Sequence, residues 1–179
     1  MQQHKEKRMT GSHPFMQWYG GALAFAVSLL GCREAAQDMV QHALYKSMSA
    51  RRVPSDTAAQ KVWFYKVVRH ACFDWLQQEK RMDRSIVVEE FTEAFVDDET
   101  LGEREEKVVW VRRALALLSS EQREILVLRE VNDLSYDDLA AVLQIERGTV
   151  MSRLHRARMA LRTKLSEITE DGGLSNANP

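Results

Sequence analysis

The feature that most restricts the fold of this chain is a pair of predicted helices near its C-terminal end, joined by only three residues. The helices span 136–143 and 147–165, and Gln144, Ile145 and Glu146 connect them. Such a short connection forces the helices to cross closely, which requires apolar residues at the crossing. The sequence supplies them at helical spacing, at Leu139, Ala140, Leu143, Ile145, Val150 and Leu154. The pattern predicts a helix-turn-helix.

Composition extends the helical prediction to the whole chain. The 179 residues are 45% hydrophobic, with only 8 Gly and 3 Pro, and contain few β-branched runs. This excludes disorder throughout and favours short helices over a sandwich or barrel. We predict an all-α protein, with further helices at 15–30, 33–48, 57–81, 107–118 and 120–131.

Charge divides the chain into two small helical domains. Residues 1–81 hold 12 Lys and Arg against 6 Asp and Glu, whereas residues 82–120 hold 5 against 10. Since acidic stretches with weak periodicity are typical of linkers, we expect no core to be shared across this one. A cut between 85 and 100 should therefore leave two folded halves. The predicted divisions are an extension (1–14), a first domain (15–81), an acidic linker (82–107), a second domain (108–166) and a disordered tail (167–179).

The sequence contains no pattern typical of catalysis or metal binding. Cys32 and Cys72 lie far apart without a CxxC spacing, the five His are scattered, and no glycine-rich phosphate loop is present. We therefore expect no enzyme activity, no catalytic residue, no metal, no cofactor and no small-molecule substrate. The cysteine usage fits a reducing cytoplasm.

An apolar run at 21–32 resembles a signal peptide that ends in a lipoprotein cleavage box. The run is only about a dozen residues, which is too short to span a membrane. The amphipathic pattern also continues past Cys32. We prefer a buried core helix that ends at Gly31, without direct membrane insertion.

The second helix of the predicted helix-turn-helix is strongly basic. Between Arg147 and Lys164 there are six Lys and Arg and no carboxylate. In this motif the second helix enters the major groove of DNA with its N-terminal end leading. The residues predicted to face DNA are Arg147, Thr149, Ser152, Arg153 and Arg156.

Two further helices have polar faces that allow two interpretations each. In the helix at 57–81, Tyr65, Lys66, Arg69 and His70 lie off the apolar stripe. Rings and cations on one exposed face suit single-stranded nucleic acid, but the rings could equally lie in the core with the cations beside them. In the helix at 33–48, a polar face could bind a partner or be plainly solvated. It consists of Asp38, Gln41, His42 and Tyr45.

Several motifs together resemble bacterial RNA polymerase sigma factors of the extracytoplasmic-function (ECF) group. The stretches 134–143 and 148–158 resemble sigma region 4. In the first half, 36–41 resembles the polymerase-binding helix of region 2, and 63–69 with 74–76 resembles its promoter-melting helix. The resemblance covers about residues 15–165, with both halves in the expected order. Gln144 departs from the pattern, since it stands where the family usually has a turn glycine, and His42 stands where an acid is usual.

The resemblance implies a protein that binds core RNA polymerase and promoter DNA and directs transcription initiation of a stress- or signal-responsive set of genes. An anti-sigma protein is a further expected partner. The −35 element would be read by the predicted recognition helix with His155 added, and the −10 element by Arg51, Arg52, Tyr65, Lys66, Arg69 and His70. Core polymerase would contact Asp38, Gln41, His42 and Tyr45.

One alternative function remains open from the sequence. A conventional transcriptional regulator could use the helix-turn-helix for DNA and the N-terminal helices as a ligand or dimer domain. That interpretation accounts for 107–165 without giving the aromatic and basic helix a role.

Overall fold

The computed structural model describes residues 14–81 and 103–175, and these ranges contain helices and no strand. The prediction of an all-α fold is confirmed. The first half consists of a 3₁₀ turn (Pro14–Trp18), α1 (Tyr19–Leu30), α2 (Arg33–Ser49) and α3 (Thr57–Arg81). The second half consists of α4 (Glu103–Ala116), α5 (Ser120–Leu126), a π-helical segment (Val127–Val131), α6 (Tyr136–Leu143) and α7 (Arg147–Ser175).

The helix α1 forms the centre of the core, as its sequence predicts. Its residues from Phe25 to Leu30 are all buried. Gly31 then adopts a left-handed conformation with φ of 71°, and its N–H donates to the Val27 carbonyl at 2.9 Å. A residue without Cβ takes this conformation at no steric cost, so the helix ends here. Among the described helices, none is long and apolar enough to cross a membrane.

Aromatic side chains join the 3₁₀ turn and α1 to α3. The rings of Phe15 and Phe64 stack with their centroids 5.4 Å apart, and Phe25 meets Tyr65 edge-on at 5.9 Å. Asp56 caps the start of α3, since its Oδ2 accepts the Ala59 N–H at 2.8 Å. These contacts fix the rotation of α3 about its axis, and therefore which of its side chains are exposed.

The two halves share one core, so the expectation of independent halves is wrong. Buried apolar residues of both halves form a single cluster, in which α1 contacts α5 and the π-helical segment and α3 contacts α6. Arg123 of α5 is 5% exposed. Its Nε donates to the Ser28 carbonyl of α1 at 2.5 Å, and its Nη1 to carbonyls at the end of α4 and just beyond it, those of Leu115, Ala116 and Leu118.

This guanidinium links two helix C-termini, where a positive charge is favourable. Burial lowers the pKa of Arg123 to about 10, which leaves it protonated at neutral pH. The Arg123–Ser28 contact joins residues 95 positions apart. Helical periodicity indicates only which face of one helix is buried, so it cannot predict a contact between residues this far apart.

Two helix boundaries differ clearly from the predicted ones. The helix α4 begins at Glu103, inside the predicted linker. The helix α7 continues to Ser175, so the prediction of a disordered tail from residue 167 is wrong as far as 175. An ion pair between Lys164 and Glu167 at 2.7 Å and the Thr169 hydroxyl, which donates to Leu165, support the continued helix. The other predictions for 1–13, 82–102 and 176–179 lie outside the described residues.

Candidate nucleic-acid interface

The predicted helix-turn-helix is present, and local hydrogen bonds define its turn. The Ser135 hydroxyl accepts the Asp138 N–H at 3.1 Å while an Asp138 carboxylate oxygen accepts the Ser135 N–H, which is a capping box at the start of α6. At the other end, Gln144 is left-handed with φ of 57°. The Ile145 N–H then donates to the Ala140 carbonyl at 3.1 Å. The chain reverses here and enters α7.

Because a left-handed conformation strains any residue with a Cβ, Gln144→Gly is expected to stabilise the protein by about 0.5–1 kcal/mol. The gain is smaller than the whole strain energy, since glycine also increases the entropy of the unfolded chain. Urea unfolding monitored by circular dichroism measures the change.

The matched control is Gln78→Gly, at an exposed position within α3. There the same substitution should destabilise by about 1 kcal/mol, because glycine is a poor helix former. A loss of stability in both variants would contradict the importance of backbone strain at the turn.

Packing of α7 against α6 leaves the predicted DNA-contacting residues accessible. Val150 and Leu154 are buried in the crossing, together with Leu139 and Leu143 of α6. The opposite side of α7 holds the predicted set: Arg147, Ser152, His155 and Arg156 are exposed, and Thr149 and Arg153 are half-buried. All six lie along the first three turns of the helix.

Two of these arginines make weak ion pairs with neighbouring helices. Arg147 Nε lies 3.3 Å from an Asp137 carboxylate oxygen, and Arg153 Nη1 lies 3.6 Å from a Glu121 carboxylate oxygen. The carboxylates are more than two-thirds exposed, and such surface pairs contribute about 0–1 kcal/mol. The guanidiniums can therefore exchange these partners for phosphates or base edges at little cost.

Arg158 has a structural role despite lying in the same basic stretch. Its Nε and Nη2 donate to one Glu130 carboxylate oxygen at 3.0 and 2.7 Å. This hydrogen bond raises the pKa of Arg158 above its ordinary value. The pair attaches α7 to the π-helical segment and so fixes the direction in which the recognition helix points.

The structure separates the predicted −10 residues into an accessible group and a covered group. Arg51 and Arg52 are exposed in the loop before α3, His70 is exposed on α3, and Lys66 is half-buried. Tyr65 is 1% exposed, so the expectation that it shares an exposed face is wrong for this conformation. Its hydroxyl donates to Asn132 Oδ1 at 2.6 Å, and burial raises the pKa of Tyr65 above its ordinary value.

Arg69 is also engaged by the second half of the chain. Its Nε donates to a Glu124 carboxylate oxygen at 2.6 Å, and its Cζ lies 4.6 Å from the centre of the Phe73 ring. Burial raises the pKa of Glu124, against the opposing effect of the Arg69 charge. Burial and the nearby Glu124 charge also raise the pKa of the Cys72 thiol, to about 12.

Lys61 is not among the residues predicted to contact DNA, although it belongs to the same face of α3 as Tyr65 and Arg69. Its Nζ donates to the Asn132 carbonyl at 2.5 Å. Lys61, Tyr65 and Arg69 follow one another at intervals of four residues, which places them on one side of a helix. That spacing was a readable signal. Their partners Glu124 and Asn132 were not readable, because they are more than 50 residues away.

The predicted polymerase-binding residues form a continuous exposed face of α2. Asp38, Gln41, His42 and Tyr45 are all exposed, and Tyr45 is 74% exposed. Val40, Ala43 and Leu44 on the opposite side are buried in the core. Tyrosine is enriched among the residues that contribute most to protein–protein binding, so this face suits a protein partner.

No group of three or more potential metal ligands occurs in the described ranges.

Comparison with known proteins identifies both halves. Residues 15–82 match the family described as Sigma-70 region 2, and residues 109–161 match Sigma-70, region 4. The region 2 match contains the exposed polar residues of α2 and α3, and the region 4 match contains the helix-turn-helix of α6 and α7.

Individual relatives give the same result over most of the chain. The RNA polymerase sigma-H factor of Pseudomonas aeruginosa is 30% identical over 83% of this chain and 82% of its own length. The ECF RNA polymerase sigma factor SigC of Mycobacterium tuberculosis is 30% identical over 71% of this chain and 68% of its own.

A solved structure has the same fold. The sigma factor RpoE of Bartonella quintana, in complex with the anti-sigma factor NepR, superposes with a TM-score of 0.60 at 24% identity. The match covers 85% of this chain and 94% of that one.

These matches support the sigma-factor interpretation and not the alternative of a conventional regulator, because region 2 and region 4 occur in order within one chain. The chain belongs to the sigma-70 family of RNA polymerase sigma factors, in its ECF group.

Proposed function

We propose that this sigma factor acts in the cytoplasm as a non-catalytic subunit of RNA polymerase, with three separate surfaces for −35 DNA, −10 DNA and the core enzyme. The observation that carries the proposal is the position of the exposed basic and polar residues. They lie on α7, on α3 with its preceding loop, and on α2, within the segments that match regions 4 and 2.

The first turns of α7 would read the −35 element in the major groove. Arg147, Arg153 and Arg156 can donate to guanine edges or to phosphates, and the hydroxyls of Thr149 and Ser152 to either. His155 is exposed on the same helix. The Arg153 side chain is 35% exposed, so its position is partly restricted, which favours a defined contact over a diffuse one.

The −10 element would be held by α3 and its preceding loop. Opening DNA costs about 1.4 kcal/mol per base-pair step, and stacking one base on an aromatic ring returns about 1–3 kcal/mol. Tyr65 together with Arg51, Arg52, Lys66, Arg69 and His70 can offset this cost only in part. Polymerase contacts must supply the rest, so the isolated protein should not melt promoters.

An anti-sigma protein would bind the apolar groove where the two halves meet. This groove has a volume of about 450 Å³ and is lined by Ala24 of α1, by Val108, Val111 and Leu115 of α4, and by Val127 and Val131. Val108, Val111 and Val131 are 40–55% exposed. Clustered exposed apolar residues are typical of protein-binding surfaces. The structural neighbour RpoE is itself bound to an anti-sigma factor.

Run-off transcription tests the proposal. Purified core RNA polymerase with this protein, on a pool of genomic promoter fragments, is expected to give new transcripts that share −35 and −10 sequences. Polymerase alone should not give them. An anti-sigma candidate that binds the groove should abolish them. DNA binding without any protein-dependent transcript would contradict the proposed function.

A further inference from the structure

The contact between α3 and the second half of the chain is polar at its centre. Asn132, at the end of the π-helical segment, is 5% exposed. Its Oδ1 accepts from the Tyr65 hydroxyl at 2.6 Å, its carbonyl accepts from Lys61 Nζ at 2.5 Å, and its Nδ2 donates to the Val127 carbonyl at 3.1 Å. The Nδ2 bond is made within the second half, whereas Oδ1 and the carbonyl accept from α3 and so bond to the first half only when the two halves are together.

One turn further along α3, an ion pair continues the contact. Arg69 Nε and Nη2 donate to the two Glu124 carboxylate oxygens at 2.6 and 3.5 Å. The side chains are 19% and 7% exposed. Three successive turns of α3, at Lys61, Tyr65 and Arg69, are therefore held by the second half.

These contacts compete directly with nucleic acid. A tyrosine ring that is 1% exposed cannot stack on an unpaired base, and a guanidinium paired with a buried carboxylate cannot neutralise a phosphate. The recognition helix α7 is not covered in this way, because Arg147, Ser152 and Arg156 remain exposed. The closed arrangement covers one DNA surface and leaves the other free.

We propose that this contact is an autoinhibitory latch, in which Asn132 and Glu124 hold Lys61, Tyr65 and Arg69 and so block single-stranded DNA until the two halves separate. The proposal rests on the proposed function of α3 as the −10 surface. The closed protein would bind −35 duplex with its full affinity and single strands only through its minor open population.

Gly21 of α1 makes the latch possible. A Cβ at this position would lie 2.1 Å from Asn132 Oδ1 and 2.7 Å from the Tyr65 hydroxyl, so any other residue must displace one of them. The preceding Gly20 has nothing within 4 Å of the same hypothetical atom. Of these two adjacent glycines of one helix, only Gly21 is closely approached by the side chains of the latch.

This difference supplies a matched experiment. The test variant Gly21→Ala/Glu124→Gln obstructs the Tyr65–Asn132 contact and removes the charge that pairs with Arg69. The control Gly20→Ala/Glu167→Gln also replaces one glycine of α1 and one paired carboxylate, but at the exposed Lys164–Glu167 pair. Both variants gain helix propensity in α1.

Small-angle X-ray scattering should give a larger radius of gyration for the test variant than for the control and the wild type. Fluorescence anisotropy with a random-sequence single-stranded DNA pool should show about tenfold tighter binding, because apparent affinity rises with the binding-competent fraction. Binding of a promoter duplex through α7 should be equal in all three proteins.

Equal radii and equal single-strand affinities in the test and control variants would overturn the latch, as would a larger radius without tighter single-strand binding. If thermal unfolding shows that the Gly21 substitution prevents folding, the single variant Glu124→Gln is the test of the latch. It is expected to bind single-stranded DNA about threefold more tightly than the wild type. Run-off transcription separates the two proposals. If the wild type gives transcripts but the variants bind single-stranded DNA no more tightly than it does, only the latch is rejected. If none of the proteins gives transcripts, both the sigma function and the latch are rejected.

Discussion

Replacement of both Arg153 and Arg156 by alanine is expected to lower the affinity for a −35 duplex about a hundredfold, equivalent to about 2.7 kcal/mol. The two side chains lie three positions apart on the accessible side of α7, so both can reach adjacent positions in a major groove. A bidentate arginine contact to guanine contributes about 1–3 kcal/mol of discrimination. The ion pair that Arg153 must leave, with Glu121 at 3.6 Å, is weak and exposed.

Fluorescence anisotropy with a promoter fragment obtained from the run-off experiment measures this loss. The control variant Arg113→Ala/Arg162→Ala removes two exposed positive charges from α4 and from a later turn of α7, so net charge is matched. It should lose only a few-fold in affinity. The salt dependence separates the two kinds of contact, since each lost phosphate contact reduces the log–log slope by about 1, whereas a lost base contact leaves it unchanged. Equal affinities for both variants would remove these arginines from the DNA surface.

The helix-turn-helix could be predicted because its determinants are local. The capping box at Ser135 and Asp138, the three-residue turn and the apolar positions of the crossing all lie within about 20 residues. Even the left-handed Gln144 could be anticipated, since the tight turn requires a positive φ at that position. Local chemistry therefore sufficed to position the recognition helix.

The covered part of α3 could not be predicted for the opposite reason. Tyr65 lies off the apolar stripe of its helix, so periodicity leaves both a surface and a core position open for it. It is buried because Phe25 of α1 packs against its ring and because Asn132, 67 residues later, accepts its hydroxyl hydrogen bond. The extra turn of α4 at Glu103 and the extension of α7 to Ser175 differ from the prediction, because an acidic composition and a pair of glycines favour irregular chain over helix. Neither feature forbids a helix that neighbouring contacts stabilise.

The surface of α2 supports a second prediction of similar size. The variant Asp38→Ala/Tyr45→Ala is expected to bind core RNA polymerase about a hundredfold more weakly. Tyr45 is 74% exposed in the free protein, so it has a large apolar area left to bury against a partner. Truncation of such a residue at the centre of an interface costs about 2 kcal/mol or more. Loss of the Asp38 carboxylate, two turns earlier on the same face of α2, removes a charge that can pair with a basic polymerase surface.

Biolayer interferometry with immobilised core enzyme measures this affinity without DNA. The control Asp74→Ala/Leu117→Ala removes an exposed carboxylate and an exposed apolar side chain from α3 and from the second half, outside the α2 face. It should bind as the wild type does. Because α2 buries Val40 and Ala43 on its other side, the test variant should keep its fold and its full affinity for −35 duplex. Undiminished polymerase binding would make this face of α2 ordinary solvated surface, and the core enzyme would have to bind the sigma factor elsewhere.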